Sequence, residues 1–296
     1  MAHIPVLVDE VIEGLALSPG SVLMDGTLGE GGHSEAIAKA LCGDITIIGI
    51  DRDEKSLKVA SKRVGNAAKK FIPWLGNFAD MDGALKEAGV EKVHGILLDL
   101  GWNSGQLESG KGFSFRKNEP LLMTYDADET KVKFSAKDIV NGWDEENIET
   151  ILQSYGEERF AGRIAKKITE VRVGRPIETT FDLVDIVKSA VPGFYRNRRI
   201  HPATKTFQAL RMAVNEELQS LERILEKFPN LLKPKGRMAV ITFHSLEARI
   251  VKTRFRELEQ KAVGKLVNKK AILPSRVETL DNPRARSAQL RVFEKV

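Results

Sequence analysis

The sequence predicts an α/β fold in which a doubly wound parallel sheet is interrupted by a helical insert. Strand-like and helix-like patterns alternate through roughly the first hundred of the 296 residues, which is typical of βαβ units. Between Gly101 and Thr206 no comparable strand pattern occurs, whereas helical spacing is frequent. The length suits about two domains of roughly 150 residues each. We therefore predict a sheet domain formed by residues 1–104 and 206–296, with an inserted helical domain over residues 105–205.

In the first half, short apolar runs end in turn residues or acids and are separated by helix-like segments. The predicted strands are 21–27, 44–51, 71–75 and 93–99, and the predicted helices are 35–41, 53–70 and 81–88. The second and fourth runs are rich in β-branched and aliphatic residues without polar alternation, so we expect them to be buried on both faces. A glycine-rich loop over residues 28–34 follows the first strand.

In the second half, helical spacing dominates until the strand pattern returns. The insert contains helical stretches at 147–153, 159–172 and 181–191, followed by a helix over 206–232, a Pro-Lys-Gly turn at 234–236, a strand over 237–243 and a last strand over 289–293. The segment 265–286, rich in Lys, Pro and Asn, is predicted to be an extended or mobile basic stretch.

Composition excludes several classes of protein. The chain is 42% hydrophobic and 29% charged, so it can bury a core and is neither disordered nor fibrous. No apolar run approaches the roughly 20 residues that span a bilayer, and residues 1–9 lack signal-like character, so we expect neither a membrane protein nor a secreted precursor. The single Cys42 excludes a disulfide framework and a multi-cysteine metal site, and we expect a small core residue in a cytoplasmic protein without a metal.

The distribution of charge is more informative than the net charge of +5. Residues 1–158 carry 16 basic and 27 acidic groups, residues 159–211 carry 12 and 4, and residues 246–296 carry 13 and 6. Such asymmetry is expected of a nucleic-acid binder, although a solvated Lys-rich surface remains the alternative. The best predicted RNA-contact surface is the cluster beside Tyr195, which consists of Arg196, Arg198, Arg199 and Lys205.

The carboxyl ends of the predicted strands are where a parallel sheet binds ligands. Gly29, Gly31 and Gly32 lie in the first such loop, where glycine permits close approach of a ligand to the backbone or simply a tight turn. Asp51 ends the next strand, 22 residues after Gly29, where an acid can accept both ribose hydroxyls. The ligand is a dinucleotide or S-adenosylmethionine. The loop lacks the third glycine of a dinucleotide site and carries Glu30, which would repel phosphates, so the pattern favours the methyl donor.

The sequence closely resembles the RsmH (MraW) family of methyltransferases. The resemblance is carried by Asp25-Gly26-Thr27-Leu28-Gly29-Glu30-Gly31-Gly32-His33-Ser34, by His201-Pro202-Ala203-Thr204-Lys205, and by blocks at 3–7, 49–53, 99–101, 112–116, 155–159, 206–211, 214–218, 243–247 and 282–287. The resemblance implies a Rossmann-like class I S-adenosylmethionine-dependent methyltransferase domain with an inserted helical substrate-recognition domain. It also implies methylation of N4 of a cytidine, at position 1402, in 16S small-subunit ribosomal RNA.

The resemblance implies a set of cofactor contacts at Gly31, Gly32, His33, Asp51, Phe78, Asp99 and Gln106. Within that set Asp51 suits the ribose hydroxyls, Phe78 can cover the adenine face, and Asp99 can bind the methionine ammonium or face the substrate amine. The partner implied is 16S rRNA within the small ribosomal subunit, and a homodimer is a further expectation. A nicotinamide-dependent dehydrogenase and a non-catalytic ribosome-binding factor are the alternatives.

The chemistry requires the exocyclic amine of cytosine to pyramidalise as it attacks, which acceptors for its hydrogens would assist. The Asp99 carboxylate and the Leu100 carbonyl are the candidate acceptors. The predicted substrate-binding residues are Trp102, Asn103, Phe113, Arg196, Arg198, Arg199 and Lys205. Trp102 or Phe113 would stack on an unstacked base, while for Trp102 a core position is slightly favoured. For His244 and His201 we expect structural roles, a backbone hydrogen bond and a turn.

The chain departs from the family pattern at several positions, including Lys111 and Lys205, each of which stands where the family has Arg, and two runs bear most on the substrate. Trp102-Asn103-Ser104-Gly105 stands where the family commonly has a small or aliphatic residue, two serines and often a proline. Leu122 and Thr124 stand where the family has an acid and an arginine, so one ion pair is expected to be missing. These changes affect the positioning of substrate and leave the cofactor assignment intact.

Overall fold

The computed structural model describes residues 4–101, 109–126 and 132–296. The predicted site residues Trp102, Asn103 and Gln106 lie outside these ranges. The chain forms two compact units, one from Met1–Asn103 with Leu218–Val296 and the other from Ser104–Glu217. The helix over residues 204–214, which we assigned by sequence to the returning sheet domain, belongs to the second unit.

The first unit contains a mixed sheet in which the five strands on one side are mutually parallel. The strands are β1 (Ser21–Asp25), β2 (Ile45–Asp51), β3 (Lys70–Leu75), β4 (Val93–Asp99), β5 (Leu232–Thr242), β6 (Gly264–Leu266) and β7 (Gln289–Lys295). Their order across the sheet is β3-β2-β1-β4-β5-β7-β6, and β7 is antiparallel to both of its neighbours. The predicted α/β fold class is confirmed, with an antiparallel addition at one edge.

The helices of the described chain are distributed between the two units. They are α1 (Val8–Leu15), α2 (Gly32–Ala40), α3 (Glu54–Gly65), α4 (Met81–Ala88), α5 (Ala136–Gly142), α6 (Glu145–Ser154), α7 (Ala161–Gly174), α8 (Thr180–Ala190), α9 (Gly193–Arg196), α10 (Thr204–Val214), α11 (Glu217–Leu231), α12 (Ser245–Gln260) and α13 (Arg276–Asp281). Short 3-10 helices span Phe78–Asp80 and Pro283–Ser287. In the described residues, no helix is both long enough and apolar enough to cross a membrane.

Helices cover both faces of the sheet, as a doubly wound fold requires. On one face α1, α2 and α3 bury Val11, Ile37 and Ala60 against the strands. On the other face α4, α11 and α12 form a second core cluster, in which the rings of Phe228, Phe255 and Phe293 lie 5.3–5.7 Å apart. Because both faces are buried, the central strands show the continuous apolar runs seen in the sequence.

Four predictions about local structure are wrong. The helix predicted over 206–232 is divided into α10 and α11, because Glu216 between them has φ 50°. The segment 265–286 contains part of β6, the helix α13 and most of a 3-10 helix, and it is anchored because Glu278 accepts a hydrogen bond from the Leu7 amide at 2.7 Å. Cys42 is exposed instead of buried, because α2 ends at Ala40 and Cys42 follows in a turn with φ 51°. The Pro-Lys-Gly turn lies inside β5, where Lys235 has φ 61° and the register against β4 shifts.

The second unit is helical, and α5 to α10 supply its core. α6 packs on α7, and α7 packs on α8. Ser135 and Thr179 begin α5 and α8 with capping boxes, in which each hydroxyl accepts from the third helical amide and the Asp there accepts in return. The predicted helical character of this part of the chain is therefore confirmed among its described residues.

Candidate active site

Three carboxylates lie at the carboxyl ends of neighbouring strands. Asp25 ends β1, Asp51 ends β2 and Asp99 ends β4, and β1 pairs with both of the other strands. Because these strands are parallel, their carboxyl ends meet at one edge of the sheet, where α/β proteins bind ligands. Asp51 and Asp99 were predicted site residues and Asp25 was not, although Asp25 also is an acid that ends an apolar strand.

Asp51 is held by two backbone amides and retains lone pairs for a ligand. Its Oδ2 accepts from the Gly29 amide at 2.7 Å and its Oδ1 from the Asp53 amide at 2.9 Å. Burial raises the pKa of Asp51 to about 6, although these two hydrogen bonds oppose the shift. A carboxylate oriented in this way can accept hydrogen bonds from a diol, as the predicted ribose contact requires.

Asp25 is fully buried and supports the loop that follows β1. Its Oδ2 accepts from the Ser34 hydroxyl at 2.7 Å and its Oδ1 from the Thr27 amide at 3.2 Å. Burial raises the pKa of Asp25, and the negative charge of Asp99 acts in the same direction. Asp25 therefore joins β1, the glycine-rich loop and the first turn of α2 through one side chain.

His33 connects the N-terminal segment to Asp99. Its Nε2 lies 2.8 Å from the carbonyl oxygen of Val6, and its Nδ1 lies 3.6 Å from Oδ2 of Asp99. Because a carbonyl only accepts, Nε2 carries a hydrogen, so Nδ1 of the neutral ring presents a lone pair to the carboxylate.

The glycine-rich loop owes its composition to close packing as well as to backbone conformation. Gly31 has φ 79°, and a Cβ there would lie 2.6 Å from Cγ2 of Val64 on α3. Gly32 has no positive φ, but its Cβ would lie 2.9 Å from Cγ of Pro5. The loop is thus pressed between α3 and the N-terminal segment, which places the amino end of α2 beside the three strand-end acids.

Phe78 and Asp99 are fixed by the loops that carry them. Phe78 begins the 3-10 helix after β3, which Asn77 caps by accepting from the Ala79 amide at 3.0 Å. The Asp99 amide donates to the Thr27 hydroxyl at 2.6 Å, which ties the end of β4 to the loop after β1. Asp99 in turn accepts from the Gly101 amide at 3.2 Å.

His244 has the structural role predicted for it. It is the N-cap of α12, and its Nδ1 accepts from the Glu247 amide at 3.3 Å. The Glu247 carboxylate accepts in return from the Phe243 amide at 2.8 Å. The backbone hydrogen bond expected from the sequence is confirmed.

The predicted substrate residues of the second unit differ in accessibility. Phe113 is only 4% exposed, and one face of its ring stacks on Tyr125 with centroids 5.3 Å apart. Lys205 donates from Nζ to the Glu157 carbonyl at 2.6 Å. The three arginines at 196, 198 and 199 are exposed. His201 accepts from the Ala203 amide at 3.3 Å, in agreement with the turn expected there.

Metal coordination finds no support in the part of the chain that the structure describes. Within residues 4–101, 109–126 and 132–296, no group of three or more His, Cys, Asp or Glu side chains is arranged to hold a metal ion.

Comparisons with known proteins agree on one family. A family model described as the MraW methylase family matches residues 1–296. A ribosomal RNA small subunit methyltransferase H from Geobacter sulfurreducens is 46% identical over 311 residues, covering 100% of this chain and 99% of that protein. Proteins of the same name from Clostridium botulinum strain Loch Maree and Lachnospira eligens are 42% and 40% identical over 310 residues, each covering 99% of this chain and 99% and 98% of those proteins.

Proposed function

The chain belongs to the MraW methylase family, and we propose that it transfers a methyl group from S-adenosylmethionine to the exocyclic N4 of cytidine 1402 in 16S ribosomal RNA. Methyl transfer to small-subunit ribosomal RNA follows from the family and from the name shared by the full-length relatives. The base, the atom and the position are what the resemblance in sequence implies.

One observation of the structure carries the proposal of a methyl donor. Asp25, Asp51 and Asp99 bring three carboxylates to one edge of the sheet, with His33 as the imidazole among them. Negative charge in partly dehydrated surroundings suits a cationic ligand and opposes a pyrophosphate. S-adenosylmethionine carries a sulfonium and an ammonium and no phosphate, so the residues present fit this cofactor and disfavour a dinucleotide.

We assign the parts of the cofactor to these residues. Asp51 would accept from the ribose hydroxyls, Phe78 would cover the adenine, and the loop containing Gly31 and Gly32 would approach the methionine moiety at the start of α2. Asp99 would bind the ammonium or face the substrate amine. Gln106, which the resemblance adds, lies outside the described residues and remains part of the proposal.

The chain's own residues would position the amine and remove its proton. S-adenosylmethionine supplies an electrophilic methyl group when bound. The Asp99 carboxylate and the Leu100 carbonyl would accept the two amine hydrogens, which localises the nitrogen lone pair as attack begins. Asp99 would then receive the proton released from nitrogen and share it with Nδ1 of His33, since that atom faces Oδ2 across 3.6 Å.

RNA would be bound mainly by the second unit. Arg196 at the end of α9 and Arg198 and Arg199 in the bend that follows are exposed and suit phosphate contacts. Lys205 keeps two further N–H groups after bonding the Glu157 carbonyl and stays in the proposed RNA surface, and Trp102, Asn103 and Phe113 remain proposed substrate contacts. We propose the assembled small ribosomal subunit in the cytoplasm as the substrate, and a homodimer as the functional form.

Transfer of labelled methyl to small subunits that lack the modification tests the proposed function. We expect wild-type protein to modify one cytidine per subunit, and Asp99→Asn to lower the rate at saturating cofactor by about 10²–10⁴-fold, the usual contribution of a positioned acid or base. Asp44→Asn is the matched control, because it removes the same charge from an exposed pair with Lys69. A folded, cofactor-binding protein that transfers no methyl would instead be a non-catalytic ribosome-binding factor.

A further inference from the structure

The second unit exposes an aromatic ring surrounded by arginines. Phe194, on the short helix α9, is 59% exposed. Its ring lies edge-on to Phe160 with centroids 6.2 Å apart, and Phe160 lies edge-on to Tyr195 at 4.9 Å. We call these three residues the aromatic platform. Single exposed hydrophobic residues are common on protein surfaces, and what distinguishes Phe194 is that its ring packs on other aromatic rings and lies beside an arginine.

A buried hydrogen bond anchors Tyr195 within the aromatic platform. The Tyr195 hydroxyl donates to Oε2 of Glu158 at 2.7 Å, and both side chains are buried. Oε1 of Glu158 accepts from the Phe160 amide at 2.9 Å. One buried carboxylate therefore bonds to both residues on which the Phe194 ring packs or to which it is adjacent, the Phe160 backbone and the Tyr195 hydroxyl.

Arginine side chains surround the platform and lie against its rings. The guanidinium carbons of Arg159 and Arg163 each lie 5.7 Å from the centroid of Phe160, and that of Arg198 lies 4.9 Å from Tyr195 and 5.9 Å from Phe194. All three arginines are exposed, and no carboxylate among the described residues forms an ion pair with any of them. Cation–π contact orients these groups without neutralising their charge.

We propose that the aromatic platform is a stacking site for an unpaired RNA base, with Arg159, Arg163 and Arg198 binding the phosphates on either side. Exposed π-faces combined with uncompensated cations are the two components of single-strand recognition. An acidic peptide would use the cations alone and would leave Phe194 without a function. This site deepens the proposed function and rests on it, since the base would belong to nucleotides that flank the methylated cytidine.

Binding of a fluorescently labelled single-stranded RNA of the target sequence tests the site. Phe194→Ala should raise the dissociation constant by about tenfold or more, which is the effect of losing one stacked base. The salt dependence of binding should stay unchanged. Phe194→Trp should restore binding. Phe181→Ala is the matched control, because Phe181 is another exposed phenylalanine of the same unit, at 44% exposure. Arg159→Gln and Arg198→Gln should each lower the salt slope by about one.

Two outcomes would overturn the stacking site. Equal effects of Phe194→Ala and Phe181→Ala would show that the ring is not a specific contact. Equal loss of duplex RNA binding in Phe194→Ala would exclude stacking, because paired bases cannot reach the ring. These results would leave methyl transfer intact, whereas a wild-type protein that neither binds RNA nor transfers methyl would contradict the proposed function itself.

Discussion

Replacing Asp51 by Asn should separate ligand binding from stability. Asp51 has a pKa of about 6 against an ordinary value of about 3.9, and two pKa units correspond to about 3 kcal/mol of unfavourable burial of the charge. The side chain is only partly buried, so solvent screening reduces this to about 1–2 kcal/mol. The protonated acid is favoured in the fold, so the penalty develops as pH rises from about 4 to 6 and is complete at pH 7.

The variant avoids this penalty but loses an acceptor. The Asn amide nitrogen would face the N–H of either Gly29 or Asp53, which costs about 1–3 kcal/mol. The free energy of unfolding at pH 7 should therefore stay within about 2 kcal/mol of wild type. From pH 4.5 to 7.5 the stability of the variant relative to wild type should rise by about 1–2 kcal/mol, because only the wild type acquires the buried charge. Affinity for S-adenosylmethionine should fall by about 1–3 kcal/mol, the range for lost charge-assisted hydrogen bonds.

Chemical denaturation at several pH values and calorimetry with S-adenosylmethionine measure the two quantities. Asp44→Asn serves as the control for net charge, because Asp44 is exposed and pairs with Lys69 at 3.0 Å. The ribose assignment fails if Asp51→Asn binds the cofactor as tightly as wild type, or if Asp44→Asn weakens binding equally. A stability difference that does not change with pH would refute the burial argument.

Three further substitutions test how the fold supports the site. Gly31→Ala should lower the free energy of unfolding by about 1–3 kcal/mol, because φ is 79° and the new Cβ would meet Val64. The control Gly65→Ala has open space around the new Cβ and should raise the free energy of unfolding by up to about 1 kcal/mol. Equal effects of the two substitutions in denaturant titrations would contradict the packing argument. His244→Ala should cost about 0.5–2 kcal/mol in calorimetry while His244→Asn keeps most of the cap, and the capping role is wrong if the two variants melt alike. Arg211→Met should lower the free energy of unfolding by about 3–5 kcal/mol, since Arg211 is buried and pairs with Glu217 at 2.8 Å. The double variant with Glu217→Gln should lose less stability than the sum of the two single variants, and strict additivity would argue against the ion pair.

The parallel strands could be predicted because burial on both faces leaves a simple signal. β2 and β4 are apolar runs that end in acids, and their observed bounds agree with the predicted ones to within one residue. The C-terminal region could not be predicted for the opposite reason. β6 has three residues, and α13 buries none of its side chains, so neither element leaves an apolar period in the sequence.

In the candidate site, too, some features follow from neighbouring residues in the sequence and others depend on residues far apart in it. The strand-end positions of Asp51 and Asp99 follow from local pattern, because each acid closes an apolar run. The burial of Phe113 depends on Tyr125 and that of Tyr195 depends on Glu158, which is 37 residues away in sequence. Partners at such separations cannot be identified from composition or periodicity in a single sequence, so accessibility within the predicted RNA surface had to come from the structure.

The position of β7 in the sheet has a consequence for biosynthesis. β5 ends at Thr242, but its second neighbour is β7, which begins at Gln289. When β5 has emerged from the ribosome, the edge of the sheet that β7 will cover is therefore still open. Phe228 and Phe255 also lack their contact with Phe293 until β7 emerges. An open apolar edge invites pairing with other chains, so a product that stops before residue 289 should depend on chaperones and be a substrate for proteolysis. Translation of this chain thus reaches a stable sheet late, only after the helix α12 and the strand β6 have been made.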